Sequence, residues 1–418
     1  RDWSSDMCSS DLSLTSVLVM TTGTPLPSRP AASSSTTAES VPSSSAIRAG
    51  PNSGPSSEEH ECAMRIVVDI NHPAHVHYFK HFVAKMQERG HEVLITASEK
   101  EISYRLLDLL GFEYRRLGSY GTTVPQKALN LLRLDYRMYR AVRGFAPDLF
   151  VGFGSIRAAH VATLMRRPYI ALDDSEPSPF EHLLYVPFAD AVLTPSSFRK
   201  DLGANHRRFE SYVELSYLHP RYFEPDPGVL DEIGVSEGSF ALLRFVAWQA
   251  VHDVARRGFS LEDKIRLVRE LERHTRVYIS SESPLPSGLE PYRIAISPEK
   301  IHHVLYYARL FVGDSQTMST EAALLGTPAV RCNSFVGEND MGNFIELEQK
   351  YGLLRNVAES DAAIGTAVEL ITDPSSRETW RQNRERLLRD KIDLTRFLVW
   401  FTETYPDSMD RINDYQDV

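Results

Sequence analysis

The chain has 418 residues, of which 42% are apolar and 24% are charged, and its formal net charge is −10. This length and composition predict a globular protein of two or three domains, and the acidic balance argues against a nucleic-acid-binding protein, which would carry a basic face. Cys8, Cys62 and Cys332 lack the spacing of metal ligands or of a disulfide framework, and no apolar run approaches the roughly 18 residues of a membrane span, so we expect a protein of the reducing cytoplasm.

Residues 1–63 are rich in Ser, Thr, Ala and Pro and hold too few large apolar side chains to form a core. We predict that they are disordered. The opening, RDWSSDMCSSDL, also resembles a translated sequencing adapter, so the segment is either a disordered tail or a non-native extension. Met64, directly before a strong strand pattern, is the expected start of the protein.

Through the next part of the chain, apolar runs typical of buried parallel strands alternate with amphipathic helical segments. The strands are predicted at 64–70, 91–96, 113–117, 148–152, 169–172 and 191–194. The helices are predicted at 76–89, 102–110, 124–145 and 156–165. This alternation predicts a doubly wound parallel sheet, in which ligands bind beyond the carboxyl ends of the strands.

Polar residues follow several of these strands. His75 follows the first strand and is a candidate general base, because imidazole accepts a proton near neutral pH. The alternative is a histidine at the helix start that bonds the backbone. Asp173, Asp174 and Glu176 follow the fifth strand and could orient a hydroxyl group or hold a metal. One of these acids could instead cap the helix that Pro177 begins.

The segment 129–145, LNLLRLDYRMYRAVRGF, combines Leu and Tyr with four arginines at helical spacing. Basic amphipathic helices lie on anionic membranes in some proteins. A packed helix with a solvated charged face is the commoner structure, and we favour it here. Peripheral contact with the inner face of the membrane stays an alternative.

The stretch Pro-Asp-Pro-Gly at 225–228 is typical of a hinge between domains. We predict a first domain at 64–225, a second at 226–375 and C-terminal helices at 376–418. In the second domain, strands are predicted at 240–246, 277–281 and 310–312, and helices at 261–273, 298–309, 317–325 and 344–350. The predicted fold is two doubly wound, Rossmann-like α/β domains that face each other across a cleft.

The loop after the strand at 240–246 combines Trp, His and Arg residues. Arg244 could pair bidentately with a phosphate, and His252 beside Asp253 could act as an oriented acid or base. The alternative is a surface loop with solvated charges. A second loop, at 335–343, either closes over a ligand or only connects two elements.

The sequence from Leu310 to Pro328, LFVGDSQTMSTEAALLGTP, is typical of a strand that turns directly into a helix. Such a turn aims backbone N–H groups and the positive end of the helix dipole at one point, which favours an anion. Glu321 lies about one turn into the helix, where a carboxylate can hold a ribose diol. The alternative is that Asp314 or Ser315 only caps the helix and Glu321 is a solvated acid. The predicted nucleotide-binding residues are Arg244, Asp314, Ser315, Gln316, Thr317, Met318 and Glu321.

Several of these segments together resemble a known family. They are NHPAHVHYFK, GFGS, DDSE, RFVAWQAVHD, SPEKIHHVLYYARLFVGDSQTMSTEAALLGTP and RCNSFVG. The likeness is to the family called domain of unknown function 354, and it covers residues 64 to about 356. That family is in turn similar to GT-B enzymes, namely the peptidoglycan N-acetylglucosaminyl transferase and the UDP-N-acetylglucosamine 2-epimerases.

The resemblance implies roles for individual residues. The ribose-binding glutamate of those enzymes corresponds to Glu321, and their phosphate-binding turn corresponds to residues 315–317. The transferase has a Gly-rich first loop that ends in a histidine fifteen residues before a glycine, and His75 stands at that distance from Gly90. The glycines of that loop are replaced by Asn-His-Pro-Ala at 71–74, which leaves the acceptor and the role of His75 open.

We therefore predict a GT-B-like glycosyltransferase that binds a nucleoside diphosphate sugar, most readily a UDP-linked one, and transfers the sugar to a sugar or lipid-linked acceptor. No cofactor and no metal are expected, because a helix dipole and arginines can stabilise the leaving diphosphate. The alternative reaction is 2-epimerisation or hydrolysis of the nucleotide sugar, with Asp173, Glu176 and His252 as acid/base groups. A further alternative is a non-catalytic sugar-binding protein of the same fold.

Overall fold

The structure is a computed structural model that describes residues 63–100, 102–119, 124–245, 258–281, 284–337 and 340–415. The sequence predicts that residues 1–63 are disordered or non-native, and all of them except Ala63 lie outside the described residues. His252, with its predicted acid/base role, also lies outside them.

Within the described part of the chain, parallel strands form two sheets. The first contains β1 (Arg65–Ile70), β2 (Glu92–Ser98), β3 (Tyr114–Gly118), β4 (Leu149–Phe153), β5 (Tyr169–Leu172), β6 (Ala191–Pro195) and β7 (His206–Phe209). The second contains β8 (Phe240–Arg244), β9 (Arg276–Ser280), β10 (Leu310–Gly313), β11 (Ala329–Cys332) and β12 (Arg355–Val357). The strand orders are β3-β2-β1-β4-β5-β6-β7 and β12-β11-β10-β8-β9. This is the predicted fold class, with two doubly wound α/β sheets.

Helices connect the strands, and three more α-helices of the described chain follow the last strand. Those of the first half are α1 (Pro73–Glu88), α2 (Ser103–Leu109), α3 (Val124–Val142), α4 (Ile156–Met165), α5 (Pro179–Tyr185), α6 (Leu215–Leu218) and α7 (Gly228–Ile233). Those of the second half are α8 (Leu261–Glu272), α9 (Ile301–Tyr307), α10 (Gln316–Leu325), α11 (Gly342–Ile345), α12 (Ser360–Thr372), α13 (Ser376–Asp390) and α14 (Leu394–Glu403). Among the described helices, none combines the length and apolarity that crossing a membrane requires.

Strand β1 explains why helices cover both faces of the first sheet. Its side chains Ile66 and Val68 enter the core cluster that contains the apolar face of α1, and Val67 enters a second cluster with α3 and α4. All three are fully buried. Because strand side chains alternate between faces, a strand that is apolar at successive positions needs cover on both sides. The near-continuous apolar run in the sequence therefore dictates the doubly wound arrangement.

The predicted strands are all present, and their ends differ from the prediction by at most two residues. Strands β7, β11 and β12 have no predicted counterpart, because each has only three or four residues and HRRF and RNV lack an apolar run. The C-terminal helix α14 packs against α1 and α6 in the first half, where Thr395 Oγ1 donates to the carbonyl of Ser216 at 2.8 Å. The domain boundaries at 225 and 375 stay predictions.

An ion pair without solvent exposure lies at the carboxyl end of β1. Asp69 Oδ1 accepts from Arg157 Nη2, and Asp69 Oδ2 accepts from Arg157 Nε, both at 2.9 Å. Thr96 of β2 and Ser155, the N-cap of α4, donate to the same carboxylate at 2.6 and 2.5 Å. Arg157 also donates to the carbonyl of Ile70 at 3.0 Å. The pair therefore ties β1, β2 and α4 together where the first loop leaves the sheet.

We expect Asp69→Ala to lower the free energy of unfolding by about 3–5 kcal/mol, because it leaves the Arg157 guanidinium buried without its anion. Chemical denaturation followed by circular dichroism measures this change. Glu88→Ala is the control, since it removes an exposed pair with Lys85 and should change the free energy by about 0.5 kcal/mol or less. Equally small effects in both variants would show that the buried pair does not stabilise the fold.

Candidate functional site

The turn between β10 and α10 lies at the carboxyl end of the second sheet. Strand β10 ends at Gly313 and α10 begins at Gln316, one residue before the predicted start. Ser315 is the N-cap, and its Oγ accepts from the backbone N–H of Met318 at 3.4 Å. The side chains of Ser315, Gln316 and Thr317 are partly exposed, whereas Met318 is buried. Ser315 therefore does cap the helix, and the helix start also has the geometry at which proteins bind anions.

Arg244 ends β8, the strand beside β10, and pairs in register with Gly313. A Cβ at Gly313 would overlap the carbonyl oxygen of Arg244, so glycine permits this close approach of the two strands. The Nη1 of Arg244 lies 3.5 Å from Ser280 Oγ at the end of β9. The structure thus brings Arg244 to the same edge of the sheet as the start of α10.

Asp314 lies at the base of this turn and is buried. A Cβ at Gly258 would stand 2.8 Å from the Cβ of Asp314. Burial, together with the charge of Asp314, raises the pKa of Cys332 to about 11. Asp314 therefore faces Gly258 and Cys332, and the partly exposed side chains of the turn are those of residues 315–317.

Glu321 lies in the second turn of α10 and is 4% exposed. Its Oε1 accepts a hydrogen bond from the Tyr217 hydroxyl and lies 2.9 Å from His302 Nε2. Tyr217 belongs to α6, between the two sheets, and His302 belongs to α9. The alternative of a solvated first-turn acid is wrong, since this carboxylate is buried and held by two partners.

Helix α1 adds two groups to the surroundings of Glu321. The Lys80 ammonium lies 5.7 Å from the centroid of the Tyr217 ring, and burial lowers the pKa of Lys80 to about 8 against the opposing effect of Glu321. The ring of His77 packs edge-on against His302, with centroids 4.8 Å apart. Burial and the charge of Glu321 raise the pKa of Tyr217 well above its ordinary value, so its hydroxyl stays a donor. Glu321 is thus the centre of a cluster from α1, α6, α9 and α10.

His75 lies in the first turn of α1 and is 8% exposed. The backbone-bonding role falls instead to His72, whose Nδ1 accepts from the N–H of Ala74 at 3.2 Å. The buried Nδ1 of His75 has no hydrogen-bond partner among the described residues. Its ring centroid lies 4.7 Å from that of Phe153 and 5.7 Å from that of Tyr78. His75 is therefore a buried imidazole without a structural hydrogen bond at Nδ1.

Burial, followed by the charges of His72 and two nearby cations, lowers the pKa of His75 well below its ordinary value. The imidazole is consequently neutral at neutral pH. The ring of Tyr78 lies between His75 and Tyr217, with centroid distances of 5.7 and 6.0 Å. Because the Tyr217 hydroxyl donates to Glu321, the candidate base and the candidate ribose ligand lie in one cluster.

Asp173 follows β5 and is 3% exposed. Its Oδ2 accepts from the Tyr185 hydroxyl and lies 3.0 Å from His182 Nε2, and its Oδ1 accepts from the N–H of Ser175 at 2.7 Å. Tyr185 and His182 belong to α5. These contacts give Asp173 a positioning role, in which it holds the loop after β5 against α5.

Glu176 joins the two halves of the chain. Its Oε1 accepts from the N–H of Gly342 at 2.9 Å and from the N–H of Arg199 at 3.1 Å. A Cβ at Gly342 would overlap a backbone carbonyl of the first half, so the approach requires glycine. The Arg199 side chain donates to the carbonyl of Asp340 at 3.2 Å. The loop at 335–343, predicted either to close over a ligand or only to connect, therefore binds the first half through Glu176.

Asp174 differs from its neighbours in its electrostatic setting. Although the residue is partly exposed, burial of its carboxyl and then the charge of Asp173 raise its pKa to about 7. Burial, followed by the charges of Asp174 and Glu321, also raises the pKa of Glu214 well above its ordinary value. Neighbouring carboxyl groups resist joint ionisation, so this group of acids retains a proton near neutral pH. The carboxyl group of Asp174 can therefore gain or lose a proton near neutral pH.

The chain is similar to known proteins in sequence. The family described as "Protein of unknown function (DUF354)" matches residues 64–394. The "Uncharacterized protein MJ0665" of Methanocaldococcus jannaschii is 22% identical over 278 residues, which cover 63% of this chain and 80% of that protein.

Two solved structures illustrate the likeness in fold. The UDP-GlcNAc 2-epimerase from Neisseria meningitidis bound to UDP-GlcNAc has a TM-score of 0.54 at 11% identity, over 81% of this chain and 99% of that chain. The glycosyltransferase VinC in complex with DTDP has a TM-score of 0.54 at 12% identity, over 81% of this chain and 99% of that chain. At these identities the likeness shows the fold, which is that of GT-B glycosyltransferases and 2-epimerases. Since the family match spans most of the sequence, the chain belongs to the DUF354 family.

Proposed function

We propose that this protein is a glycosyltransferase that takes a nucleoside diphosphate sugar as its donor. The observation that carries the proposal is the buried carboxylate of Glu321, held by Tyr217 and His302 on the helix whose start lies at the carboxyl edge of the second sheet. The N. meningitidis protein is bound to UDP-GlcNAc and VinC is in complex with DTDP, which supports a nucleotide ligand for the shared fold.

In this proposal the diphosphate lies at the start of α10. Backbone N–H groups and the partly exposed residues 315–317 bind its oxygens, and Arg244 adds a positive charge from the neighbouring strand. The ribose diol donates to Glu321 Oε2, because Oε1 is already occupied by Tyr217 and His302. A helix dipole and a guanidinium together stabilise a leaving diphosphate. The sugar is therefore transferred without a metal ion, and UDP is the leaving group.

His75 is the proposed base for the acceptor. As the acceptor oxygen bonds to the anomeric carbon, the bond from that carbon to the diphosphate oxygen breaks and the acceptor proton passes to His75. The neutral state of His75 before the reaction suits this step. A bound diphosphate would raise the pKa of the imidazole toward the working range, because a nearby anion favours the charged form.

We expect Glu321→Gln to weaken UDP binding by about ten- to a hundredfold, equivalent to roughly 1.5–3 kcal/mol, because the ribose would lose a charged acceptor. Calorimetric titration of UDP measures the affinity. Glutamine is preferred to alanine here, since its amide oxygen can still accept from Tyr217, whereas alanine would leave two buried groups without an acceptor. Glu88→Gln, an exposed glutamate of α1, is the control. An unchanged affinity in the Glu321 variant would remove the nucleotide assignment.

We expect His75→Ala to leave the UDP affinity unchanged and to lower turnover by roughly a hundredfold or more, because it removes the proton acceptor and not a nucleotide contact. Release of free UDP from a panel of nucleotide sugars, with and without candidate acceptors, measures turnover. His81→Ala is the control on the same helix, where the ring stacks on Tyr222 at 4.8 Å. Wild-type turnover in the His75 variant would exclude the catalytic role and leave the nucleotide site in place.

The runner-up function is 2-epimerisation of the nucleotide sugar, and the setting of Asp174 favours it. Epimerisation at C2 removes a carbon-bound proton and returns it. This reaction requires a group that gains and loses a proton near neutral pH, as the carboxyl group of Asp174 can. Incubation of the protein with UDP-GlcNAc in heavy water, without acceptor, distinguishes the reactions. Deuterium at C2 of the sugar indicates epimerisation, whereas transfer leaves that position unlabelled.

The raised pKa of Asp174 predicts a pH-dependent stability. Because its folded pKa lies above the ordinary value, the folded state binds this proton more tightly, and the associated stability is lost as pH rises from about 4 to about 7. Asp174→Asn removes this loss. We therefore expect the difference in melting temperature, variant minus wild type, to increase by roughly one degree or more from pH 5 to pH 8. A constant difference across that range would contradict a raised pKa.

A further inference from the structure

Exposed apolar side chains are concentrated on one side of the first half. Nine large apolar residues of the described chain are more than a third exposed, and six of them lie on α3, α4, α5 and the turn that follows α5. The six, which we call the apolar face, are Leu132, Tyr136, Leu164, Phe180, Leu183 and Phe188. The most exposed are Leu132 at 71% and Leu164 and Leu183 at 67%. A concentration of this kind marks a binding surface rather than scattered surface residues.

Contacts of His160 show that these elements form one surface. His160 lies on α4, and its Nδ1 is 2.9 Å from Asp135 Oδ2 on α3. Its Nε2 is 3.2 Å from the carbonyl oxygen of Leu184 on α5, and its ring packs edge-on against Phe188 at 5.1 Å. The outer sides of α3, α4 and α5 therefore lie next to one another.

Exposed arginines border the apolar face. They are Arg133, Arg140 and Arg143 on or just after α3, and Arg166 and Arg167 at the end of α4. Arg140 stands one turn from Tyr136, and its Nη1 lies 3.3 Å from the Tyr136 hydroxyl. The acid of α3, Asp135, is held by His160. This positive border stands out in a chain whose net charge is −10.

We propose that the apolar face and its arginines are a docking surface for an anionic lipid membrane. The apolar side chains insert at the boundary between headgroups and acyl chains, and the arginines pair with lipid phosphates. A second copy of the chain is a poorer partner, because two such faces would oppose arginine to arginine. Charge complementarity thus favours an anionic lipid surface.

The apolar face lies on elements that are connected to the candidate site. Helix α5, which carries Phe180 and Leu183, begins at Pro179, three residues after Glu176 in the loop that follows β5. A membrane bound at this face would lie beside the first half of the site, where the proposed function places the acceptor. Docking itself needs neither a nucleotide nor turnover, so the two proposals can fail separately.

Vesicle flotation tests the docking surface. The probe is the full chain with vesicles of phosphatidylcholine, alone or with added phosphatidylglycerol. We expect binding to the anionic vesicles only, and its loss at high salt. The double variant Leu164→Glu/Leu183→Glu should reduce binding by about tenfold or more, because charged side chains replace inserted ones. Leu109→Glu/Leu261→Glu is the matched control, since these exposed leucines lie on α2 and α8, away from the face.

The arginines are tested separately. Each of Arg133→Gln, Arg140→Gln and Arg143→Gln should weaken binding to anionic vesicles by about fivefold. Wild-type binding in the Leu164/Leu183 variant, or equal binding to neutral and anionic vesicles, would overturn the proposal. A different result would also overturn it: the wild type does not bind vesicles and forms a concentration-dependent dimer in light scattering, and the Leu164/Leu183 variant is a monomer. The apolar face would then bind a second copy of the chain.

Discussion

The hydrogen-bonded carboxylate of Glu321 is the contact on which the arrangement of the site depends. A carboxylate removed from water is tolerated only when donors replace its hydration, and here Tyr217 and His302 supply them from two different helices. Tyr217 belongs to the short helix that follows the first sheet, and Lys80 of α1 lies over its ring. The helix that begins at the proposed diphosphate site is thereby fixed to both halves of the chain. Any displacement of one half against the other must carry these bonds along or break them.

The same principle explains the other contacts at the carboxyl ends of the strands. Asp69 and Arg157 are fully buried and satisfy each other, which fixes the departure of the first loop from β1. Glu176 uses one oxygen to hold backbone N–H groups from both halves. Each of these buried acids has hydrogen-bond donors, because an unsatisfied charge in the interior would destabilise the fold by several kcal/mol. Glu176 thereby joins the loop after β5 of the first sheet to the start of α11 in the second half.

Neighbouring histidines, and neighbouring aspartates, have different structural roles in this protein. His72 caps α1, whereas His75, three residues later, keeps an unpartnered Nδ1. Asp173 accepts from three donors, whereas Asp174 has a pKa raised to about 7. In the sequence these neighbours are indistinguishable, because residue type and spacing reveal neither burial nor hydrogen-bond partners. For this reason the sequence singled out these loops as candidates and could not assign the roles within them.

The sequence by itself determined the fold class, the order of most strands and helices, and the start of α10 to within one residue. Those features follow from local patterns, namely apolar runs, helix caps and turn residues, which act over a few positions. Only the tertiary structure decided the partners of Glu321, since Tyr217 is 104 residues away along the chain and His302 is 19 residues away. It likewise decided that apolar residues from three separate helices share one exposed face. Long-range contacts of this kind depend on how the helices and strands pack against one another, and no single stretch of the sequence predicts that packing.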